Sequence, residues 1–206
     1  MSDKIKDVKQ YYDVTAGEWA QQWYANEMML PFLQKFISLL PDKPRVLDAG
    51  CGAGYESMRL FRLGADVVGV DISEKSIEIA RSKNPDCRFE IINCKMLDKK
   101  LGTFDGIVSI ALIVHIEGDD LQLIFDNFKR VIKSAGFLFV AFVEGDGFCE
   151  KRSFIEIDGE KYNRSFYLHK PERIIETAKV AGFKYYEEWF LEKPLGEWKF
   201  LVFRAL

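Results

Sequence analysis

Three glycines and one acid farther along the chain are the residues whose types and spacing best suit a ligand-binding site. Gly50, Gly52 and Gly54 separate a short apolar stretch from a segment with helical spacing, and Asp71 follows Gly50 by 21 positions, at the end of the next apolar stretch. Glycines let the main chain turn tightly and approach a ligand, and an acid at the end of a second strand accepts hydrogen bonds from ribose hydroxyls. The spacing predicts a site for an adenosine-type nucleoside rather than an ordinary strand–helix turn.

Acidic residues beside the glycines indicate which nucleoside the loop favours. Asp48 enters the loop, and Glu56 lies in the first turn of the predicted helix. A dinucleotide places its pyrophosphate at that helix N-terminus, where nearby carboxylates disfavour it. S-adenosylmethionine has no phosphate and carries an ammonium and a sulfonium, which acids attract. The charge pattern therefore favours S-adenosylmethionine over a nicotinamide dinucleotide.

Alternating apolar strands and amphipathic helices must position these residues. Five strand–helix units imply a parallel sheet covered on both faces, with ligands bound at the carboxyl ends of its strands. The glycine loop lies at that edge. The predicted strands are 45–48, 65–70, 88–92, 104–110 and 136–143, and the predicted helices are 55–63, 74–82, 119–132 and 171–181.

The two ends of the chain depart from this alternation. Residues 1–42 are predicted to form a helical cap that is interrupted near Pro31. An Asp158–Gly159 pair between short apolar stretches predicts a hairpin within 154–162. The last two strands are predicted around 183–190 and 198–203.

Five short segments carry a more specific pattern: Val46–Gly54, Gly69–Ser73, Phe104–Ser109, His115–Ile116 and Ile132–Gly136. Together with Asp71 they resemble the class I S-adenosylmethionine-dependent methyltransferases, of the small-molecule kind found in ubiquinone and menaquinone biosynthesis. The resemblance implies an α/β fold with three α/β/α layers, Rossmann-like. It also implies a seven-stranded, mostly parallel sheet in the order 3-2-1-4-5-7-6, with strand 7 antiparallel.

The resemblance further implies which residues hold the cofactor, S-adenosyl-L-methionine. Asp48, Gly50 and Gly52 would hold its methionine part, Asp71 its ribose, and Ile72 one face of the adenine. The whole implied set is Tyr12, Trp19, Asp48, Ala49, Gly50, Cys51, Gly52, Tyr55, Asp71, Ile72, Cys94, Lys95, Met96, Ile110 and Ala111.

Two parts of this set leave alternatives open. The family usually has an acid near the position of Cys94 to meet the adenine amino group, so here main-chain groups of Lys95 and Met96 would bind the base. Cys94 itself is either a small buried residue or a ligand contact. Tyr12 and Trp19, on the opening helix, either fold over the cofactor or pack in the core.

Methyl transfer needs positioning more than acid–base chemistry, because the cofactor brings an activated methyl group. A base is needed only when the acceptor must lose a proton. His115, after the fourth strand, is the candidate catalytic base, and the alternative is a histidine bonded to main chain or cofactor. His169 is expected to begin a helix.

Residues 144–169 occupy the place of a lid in the family and are expected to form a lid hairpin. Arg152, Arg164 and Tyr167 are its candidate substrate-binding residues, with arginine suited to a carboxylate. The alternative is an exposed hairpin with solvated charges. The fourth strand is not followed by the Asn/Asp-Pro-Pro-aromatic signature of enzymes that methylate amide or adenine nitrogens, so a small organic acceptor is favoured.

Composition bounds the remaining possibilities. The 206 residues fit one domain over 1–206, and a net charge of −3 gives little attraction for nucleic acid. No apolar run is long enough for a membrane helix, and a polar N-terminus without an apolar segment predicts a cytoplasmic protein. The four cysteines, at 51, 87, 94 and 149, match neither a redox pair nor a zinc ligand set, so we expect reduced thiols and no metal.

Two other functions remain alternatives to a methyltransferase. One is a catalytically silent subunit with this fold that serves a partner, and the other is a nicotinamide-dependent oxidoreductase. The acidic loop disfavours the second. The identity of the acceptor, the atom methylated and the oligomeric state are left open by the sequence.

Overall fold

A computed structural model describes residues 3–150, 154–190 and 198–206. Its helices are α1 Asp3–Tyr24, α2 Leu30–Ser38, α3 Tyr55–Arg62, α4 Glu74–Lys83, α5 Leu121–Val131 and α6 Pro171–Val180. Its strands are β1 Arg45–Ala49, β2 Asp66–Asp71, β3 Arg88–Ile91, β4 Phe104–Ile110, β5 Ile132–Val143, β6 Gly147–Phe148, β7 Phe154–Ile157, β8 Glu160–Asn163, β9 Tyr167–Leu168, β10 Phe183–Trp189 and β11 Trp198–Ala205.

Seven of these strands form one sheet in the order β3-β2-β1-β4-β5-β11-β10. Neighbouring strands from β3 to β5 pair in parallel, whereas β11 pairs antiparallel with both β5 and β10. Counting β10 and β11 as the sixth and seventh strands, the order and the antiparallel strand implied by the family resemblance are confirmed. The carboxyl ends of β1, β2 and β4 therefore meet at one edge.

Helices cover both faces of the sheet. Successive strand side chains point to opposite sides, and apolar side chains on each side pack against helices. On one face α5 and α6 pack against residues such as Leu47 and Ile107. On the other face α2 and α3 pack against Val46, Val108 and Phe139. The three-layer α/β/α arrangement is thereby confirmed.

The boundary between α5 and β5 differs from the sequence-based expectation. A helix to residue 132 and a strand from residue 136 were expected, but β5 begins at Ile132. Ile132 pairs with Phe104, and the pairing then shifts, so that Phe137 faces Gly106. The residues between form a bulge in which Ala135 has a φ of +62°. An irregular ladder of this kind has no simple sequence period.

The N-terminal segment forms two helices joined by a short connection. Pro31 lies in the first turn of α2, where its missing N–H is tolerated. The end of α1 is fixed by the buried guanidinium of Arg59, which donates hydrogen bonds to the carbonyl oxygens of Trp23 (2.7 Å) and Asn26 (2.6 Å). The interruption predicted near Pro31 thus begins earlier, at the end of α1.

The predicted hairpin is formed by β7 and β8, whose turn contains Asp158 and Gly159 at φ values of +51° and +81°. Strand β8 lies against α1. Within the described ranges, no helix has the length and apolarity needed to cross a bilayer.

Candidate active site

The glycine loop between β1 and α3 has a backbone that only glycine adopts easily. Gly50, Gly52 and Gly54 have φ values of +78°, +51° and +83°. A Cβ at Gly54 would lie 2.9 Å from both the Ala80 Cβ and the Asn84 Nδ2. The glycines therefore allow both the left-handed turns and the close approach of α4.

Amide groups of this loop are already hydrogen-bonded within the protein. The amides of Gly50 and Cys51 both donate to the Val70 carbonyl oxygen, at 2.8 and 3.0 Å. The Gly52 amide donates to the Asp71 Oδ2 at 2.9 Å. These three N–H groups are thus committed to protein acceptors and not to a phosphate.

Asp71, at the end of β2, is held in place from both sides. Its Oδ1 accepts a hydrogen bond from the Ser73 amide at 2.8 Å, while its Oδ2 accepts the bond from Gly52. Burial raises the pKa of this carboxyl, and the main-chain hydrogen bonds oppose the shift. Each carboxylate oxygen has a further lone pair with which it can accept a bond from a ligand hydroxyl.

Asp48, in β1, is a buried acid on the other side of the loop. Its Oδ2 accepts a hydrogen bond from the Ser57 hydroxyl at 2.6 Å. Burial raises the pKa of Asp48 to about 7, and the neighbouring carboxylates of Glu56 and Asp71 add to the shift. A positively charged group near Asp48 would favour its ionised form.

The role expected for Glu56 requires a correction. Its carboxylate forms a buried ion pair with Arg59, with 3.2 Å between Oε2 and Nη1. The two side chains lie one helical turn apart in α3, so much of the Glu56 charge is balanced locally. Within the described residues, the hydrogen bonds to Asp48 and Asp71 come from neutral donors, so neither acid has a cationic partner comparable to Arg59.

Two cavities of about 310 Å³ each meet at the loop. The first extends over the end of β2, beneath α1. The predicted site residues that line it are Tyr12, Trp19, Gly50, Gly52, Tyr55, Asp71, Ile72, Cys94, Lys95, Ile110, Ala111, His115 and Tyr167.

The second cavity lies on the opposite side of Gly50 and Ala111, beneath the connection between α1 and α2. It shares six residues with the first: Tyr12, Trp19, Gly50, Tyr55, Ile110 and Ala111. Its own walls are mostly aromatic or apolar, with a few charged groups: Trp23, Met28, Met29, Asp48, Cys51, Glu56, Val114, Ala141, Arg164, Phe166, Trp198 and Phe200.

A hydrogen-bonded chain of three side chains stands where the cavities meet. The Arg164 Nη1 donates to the Tyr12 hydroxyl at 2.9 Å, and that hydroxyl lies 2.8 Å from the His115 Nε2. The His115 Nδ1 lies 2.7 Å from the Ser165 carbonyl oxygen, which can only accept. The Nδ1 therefore carries the proton, and the Tyr12 hydroxyl donates to Nε2.

The protonation states of this chain follow from its burial. Burial lowers the pKa of His115 to about 4, so the imidazole is neutral near pH 7. Burial also raises the pKa of Tyr12 to about 12, so the phenol keeps its proton. Tyr12 and His115 therefore form a neutral hydrogen-bonded pair beside the guanidinium of Arg164.

Several predicted residues lie elsewhere. Ala49 is buried in the core of the sheet, because its side chain points away from the loop. Met96 is 75% exposed and lines neither cavity. Tyr167 lines the first cavity, although it was expected at a substrate site in the lid. Arg152 lies outside the described residues. His169 precedes α6 and is buried, with its Nε2 2.9 Å from the Ile113 carbonyl oxygen.

Some lining residues had no signal in the sequence. Asp120 lines the first cavity and forms an ion pair with Lys95, which brings an acid close to the place where the sequence lacks one. Met29 and Phe200 line the second cavity from segments far apart in the chain. Their apolar character is that of ordinary core residues, so no local pattern marks them.

In residues 3–150, 154–190 and 198–206, His, Cys, Asp and Glu side chains form no group of three that could hold an ion. The polar features of the site include Asp48, Asp71, the committed loop amides, the Lys95–Asp120 pair and the hydrogen-bonded Tyr12, His115 and Arg164.

The three-layer fold with a glycine loop and an acid at the next strand end defines a Rossmann-like methyltransferase fold. Residues 46–136 match the family model described as a methyltransferase domain. Over this region, which is less than half of the chain, the similarity is to S-adenosylmethionine-dependent methyltransferases of class I.

Two relatives show how far the sequence similarity reaches. Magnesium-protoporphyrin O-methyltransferase of Rhodobacter capsulatus is 32% identical over 148 residues, which cover 62% of this chain and 65% of that protein. Ubiquinone biosynthesis O-methyltransferase of Pelagibacter ubique (strain HTCC1062) is 36% identical over 109 residues, which cover 48% and 44%. The chain thus spans less than two thirds of the length of these relatives.

Solved structures share the fold over nearly the whole chain. The PH0226 protein from Pyrococcus horikoshii OT3 superposes with a TM-score of 0.71 at 24% identity, covering 100% of both chains. Magnesium protoporphyrin IX methyltransferase from Synechocystis PCC 6803, solved with bound S-adenosylmethionine, gives a TM-score of 0.74 at 18% identity and covers 100% of this chain and 99% of its own.

Proposed function

We propose that this chain transfers a methyl group from S-adenosylmethionine to a small organic acceptor, and that it does so in the cytoplasm. The observation that carries the proposal is the pair of cavities that meet at Gly50 and Ala111, one beside Asp71 and the other beside Asp48. A cytoplasmic setting would keep buried thiols such as those of Cys51 and Cys94 reduced.

The hydrogen-bond acceptors of the first cavity suit the nucleoside part of this cofactor. Asp71 has carboxylate lone pairs available for the two ribose hydroxyls. Ile72 and Cys94 would lie against the base, and Asp120, paired with Lys95, would offer an acceptor for the adenine amino group. The site thus suits an uncharged nucleoside without a phosphate.

The loop does not suit a dinucleotide. The amides of Gly50, Cys51 and Gly52 already have protein acceptors, so they would have to break those bonds to hold a pyrophosphate. Asp48 lies beside them and would repel it. The nicotinamide alternative therefore loses its main structural requirement.

When bound, S-adenosylmethionine supplies a methyl group that its sulfonium has already activated. The protein's task is then to hold donor and acceptor in line and to exclude water. Trp19, Tyr55 and Ala111 border both cavities and would keep the two ligands in contact. Asp48, which lines the second cavity, would attract the cationic methionine part of the cofactor where that part extends past Gly50.

The second cavity favours a planar, largely apolar acceptor with a hydroxyl group. Its aromatic and thioether walls, with Phe166, Phe200 and Met29 among them, favour ring contacts. An acceptor hydroxyl beside Tyr12 could pass its proton to the Tyr12 oxygen while Tyr12 passes its own proton to the His115 Nε2. Arg164, which donates to the Tyr12 hydroxyl, would stabilise negative charge on the Tyr12 oxygen. The names of both relatives describe O-methyltransferases, which agrees with transfer to an oxygen atom.

Calorimetry with S-adenosylmethionine and with its demethylated product tests the cofactor proposal directly. Binding of both by the purified chain is expected, and binding of neither by a folded sample contradicts the proposal. An assay of product release with a panel of phenols, aliphatic amines and peptides then tests the acceptor class. Turnover restricted to phenols supports it, and any turnover excludes a catalytically silent subunit.

A cavity variant separates acceptor recognition from cofactor recognition. Trp23 lines only the second cavity and stacks on Tyr55, with 6.2 Å between ring centroids. Trp23→Ala should raise the KM for the phenol and leave product-cofactor affinity within about threefold, because lost ring contacts act on the acceptor alone. An equal loss of cofactor affinity would contradict the assignment of two separate subsites.

A further inference from the structure

Helix α1 is anchored directly to the turn that presents Asp71. The Asp13 Oδ1 accepts hydrogen bonds from the Ser73 hydroxyl at 2.8 Å and from the Lys75 amide at 3.2 Å. Its Oδ2 accepts a hydrogen bond from the Lys9 ammonium at 2.8 Å. A side chain of α1 thus caps the N-terminus of α4 from outside that helix.

The anchoring continues to the ribose acid. Ser73 is fully buried, and its hydroxyl also accepts a bond from the Ser76 amide at 3.0 Å. Its own amide donates to the Asp71 Oδ1, while the Gly52 amide holds Oδ2. Asp13, Ser73, Asp71 and Gly52 form one hydrogen-bonded path from α1 to the glycine loop.

The same helix forms one wall of both cavities. Ile5 and Val8 line the first cavity, and Tyr12, one helical turn after Val8, lines both cavities. The N-terminal half of α1 therefore covers the first cavity, and Asp13 joins this helix to the N-terminus of α4. A nucleoside in the first cavity would lie between that helix and Asp71.

The Asp13 carboxylate is ionised where it acts. Burial alone would raise its pKa, but the bonds from Lys9, Ser73 and Lys75 outweigh burial and hold the pKa below its ordinary value. Hydrogen bonds to an ionised acceptor are stronger than neutral ones. The hydrogen bonds from Ser73 and Lys75 to Asp13 are therefore charge-assisted.

We propose that Asp13 is a positioning residue that holds α1 over the nucleoside cavity through Ser73, and so controls how long the cofactor is retained. The proposal rests on the function proposed above. Asp13 touches neither ligand itself. Its effect should appear in cofactor affinity and dissociation rather than in the rate of the bound complex.

The test compares Asp13→Ala, Asp13→Asn and Glu18→Ala, the last changing an exposed acid on the same helix. Asp13→Ala should weaken binding of the demethylated product about tenfold, mainly through faster dissociation, because three hydrogen bonds to an ionised group are lost, two of them from the N-terminus of α4. The KM for S-adenosylmethionine should rise by about the same factor, with kcat within about threefold. Asp13→Asn keeps the Oδ1 acceptor and should recover most of the affinity.

Amide hydrogen exchange of the ligand-free protein gives a readout that needs no activity. The Lys75 amide should exchange faster in Asp13→Ala than in the wild type, and near the wild-type rate in Asp13→Asn. An unchanged dissociation rate in Asp13→Ala, or an equal effect of Glu18→Ala, would overturn the role of Asp13 alone. A folded wild-type chain that binds no product would overturn the proposed function as well.

Discussion

The two cavities have the same volume, about 310 Å³ each, but they are built differently. In the first cavity, proposed for the nucleoside, Asp71 and the glycine-loop amides come from one continuous β1–loop–α3–β2 segment and have fixed hydrogen bonds. The acceptor cavity takes apolar walls from α1, the α1–α2 connection, β5, β11 and the segment after β8. Local backbone geometry thus builds the first, and tertiary packing builds the second.

This difference predicts different responses to substitution. Hydrogen-bonded geometry fails when one group is removed or displaced, whereas apolar walls lose affinity gradually with the contact area removed. Variants of the loop should therefore have large effects on folding and cofactor binding. Variants around the second cavity should mainly alter acceptor kinetics.

The largest effect is expected for Gly54→Ala. Gly54 has a φ of +83°, and a Cβ added there would lie 2.9 Å from atoms of Ala80 and Asn84. We therefore expect backbone strain and overpacking to lower the free energy of unfolding by about 2–4 kcal/mol. Gly64→Ala is the matched control, because Gly64 has a φ of +95° with nothing within 4 Å of an added Cβ. Urea unfolding should show a loss of only about 1 kcal/mol in the control. Equal losses would show that packing against α4 is unimportant.

Asp71→Ala tests the ribose contact. We expect cofactor affinity to fall by about 1–3 kcal/mol, because a charged hydrogen-bonding group is lost. Asp66→Ala, at the exposed start of the same strand, is the control and should leave affinity unchanged. Calorimetry with the demethylated product measures both. An affinity for Asp71→Ala equal to wild type would assign the ribose to another acid.

Asp48 should make cofactor binding depend on pH. Its pKa in the folded chain is about 7, above the ordinary 3.8, and its ionised form attracts a cation. Affinity should therefore rise by up to about tenfold per pH unit below pH 7 and level off above it, with proton release on binding. In the ligand-free chain the folded state holds this proton more tightly, so the free energy of unfolding should fall as pH rises from about 4 to 7.

Calorimetry in two buffers of different ionisation enthalpy measures the proton release. Asp48→Asn cannot ionise and should abolish both pH effects. Proton release that persists in Asp48→Asn would assign the titration to another group.

Tyr12→Phe tests the Tyr12–His115 pair at the boundary of the cavities. Removing the hydroxyl leaves the His115 Nε2 without its donor, and we expect kcat to fall about tenfold, or about 1.4 kcal/mol. Affinity for the product cofactor should stay within about threefold. Tyr162→Phe removes a hydroxyl from the exposed hairpin and serves as the control. A wild-type kcat in Tyr12→Phe would mean that the acceptor needs no proton acceptor here.

The smallest effect concerns two alanines with left-handed backbone. Ala111 borders both cavities with a φ of +58°, and Ala135 lies in the bulge of β5 with a φ of +62°. Replacing either with glycine should raise the free energy of unfolding by up to about 1 kcal/mol, because strain is relieved but chain entropy is lost. Only Ala111→Gly should also change turnover. A turnover change in Ala135→Gly would show coupling beyond the site.

The predictability of the site follows the same division. The glycine loop and Asp71 could be predicted because their chemistry lies in residue types at short, fixed spacing. Tyr12 and His115 were each singled out, but their contact joins positions 103 residues apart and needed the packed structure. Phe200 and Met29 could not be predicted as cavity walls, because a core residue and a wall residue have the same apolar pattern.

The fold shows a similar limit. Strand order followed from the family resemblance, and the strands from apolar runs bounded by turns. The predicted start of β5 was wrong because Ile132 is placed in the strand by its pairing with Phe104 across the sheet, and not by the local hydrophobic period. The balanced charge of Glu56 was also missed, since Arg59 is one helical turn away and the sequence alone does not show that both are buried.

Strand β11 has a consequence for the order in which the molecule matures. It is the last strand of the sheet in chain order, yet it inserts between β5 and β10, and its Trp198 and Phe200 close the acceptor cavity. During synthesis the N-terminal parts of a chain emerge first. The cavity proposed for the molecule to be methylated therefore stays incomplete until the last strand of the sheet has been synthesised and has inserted.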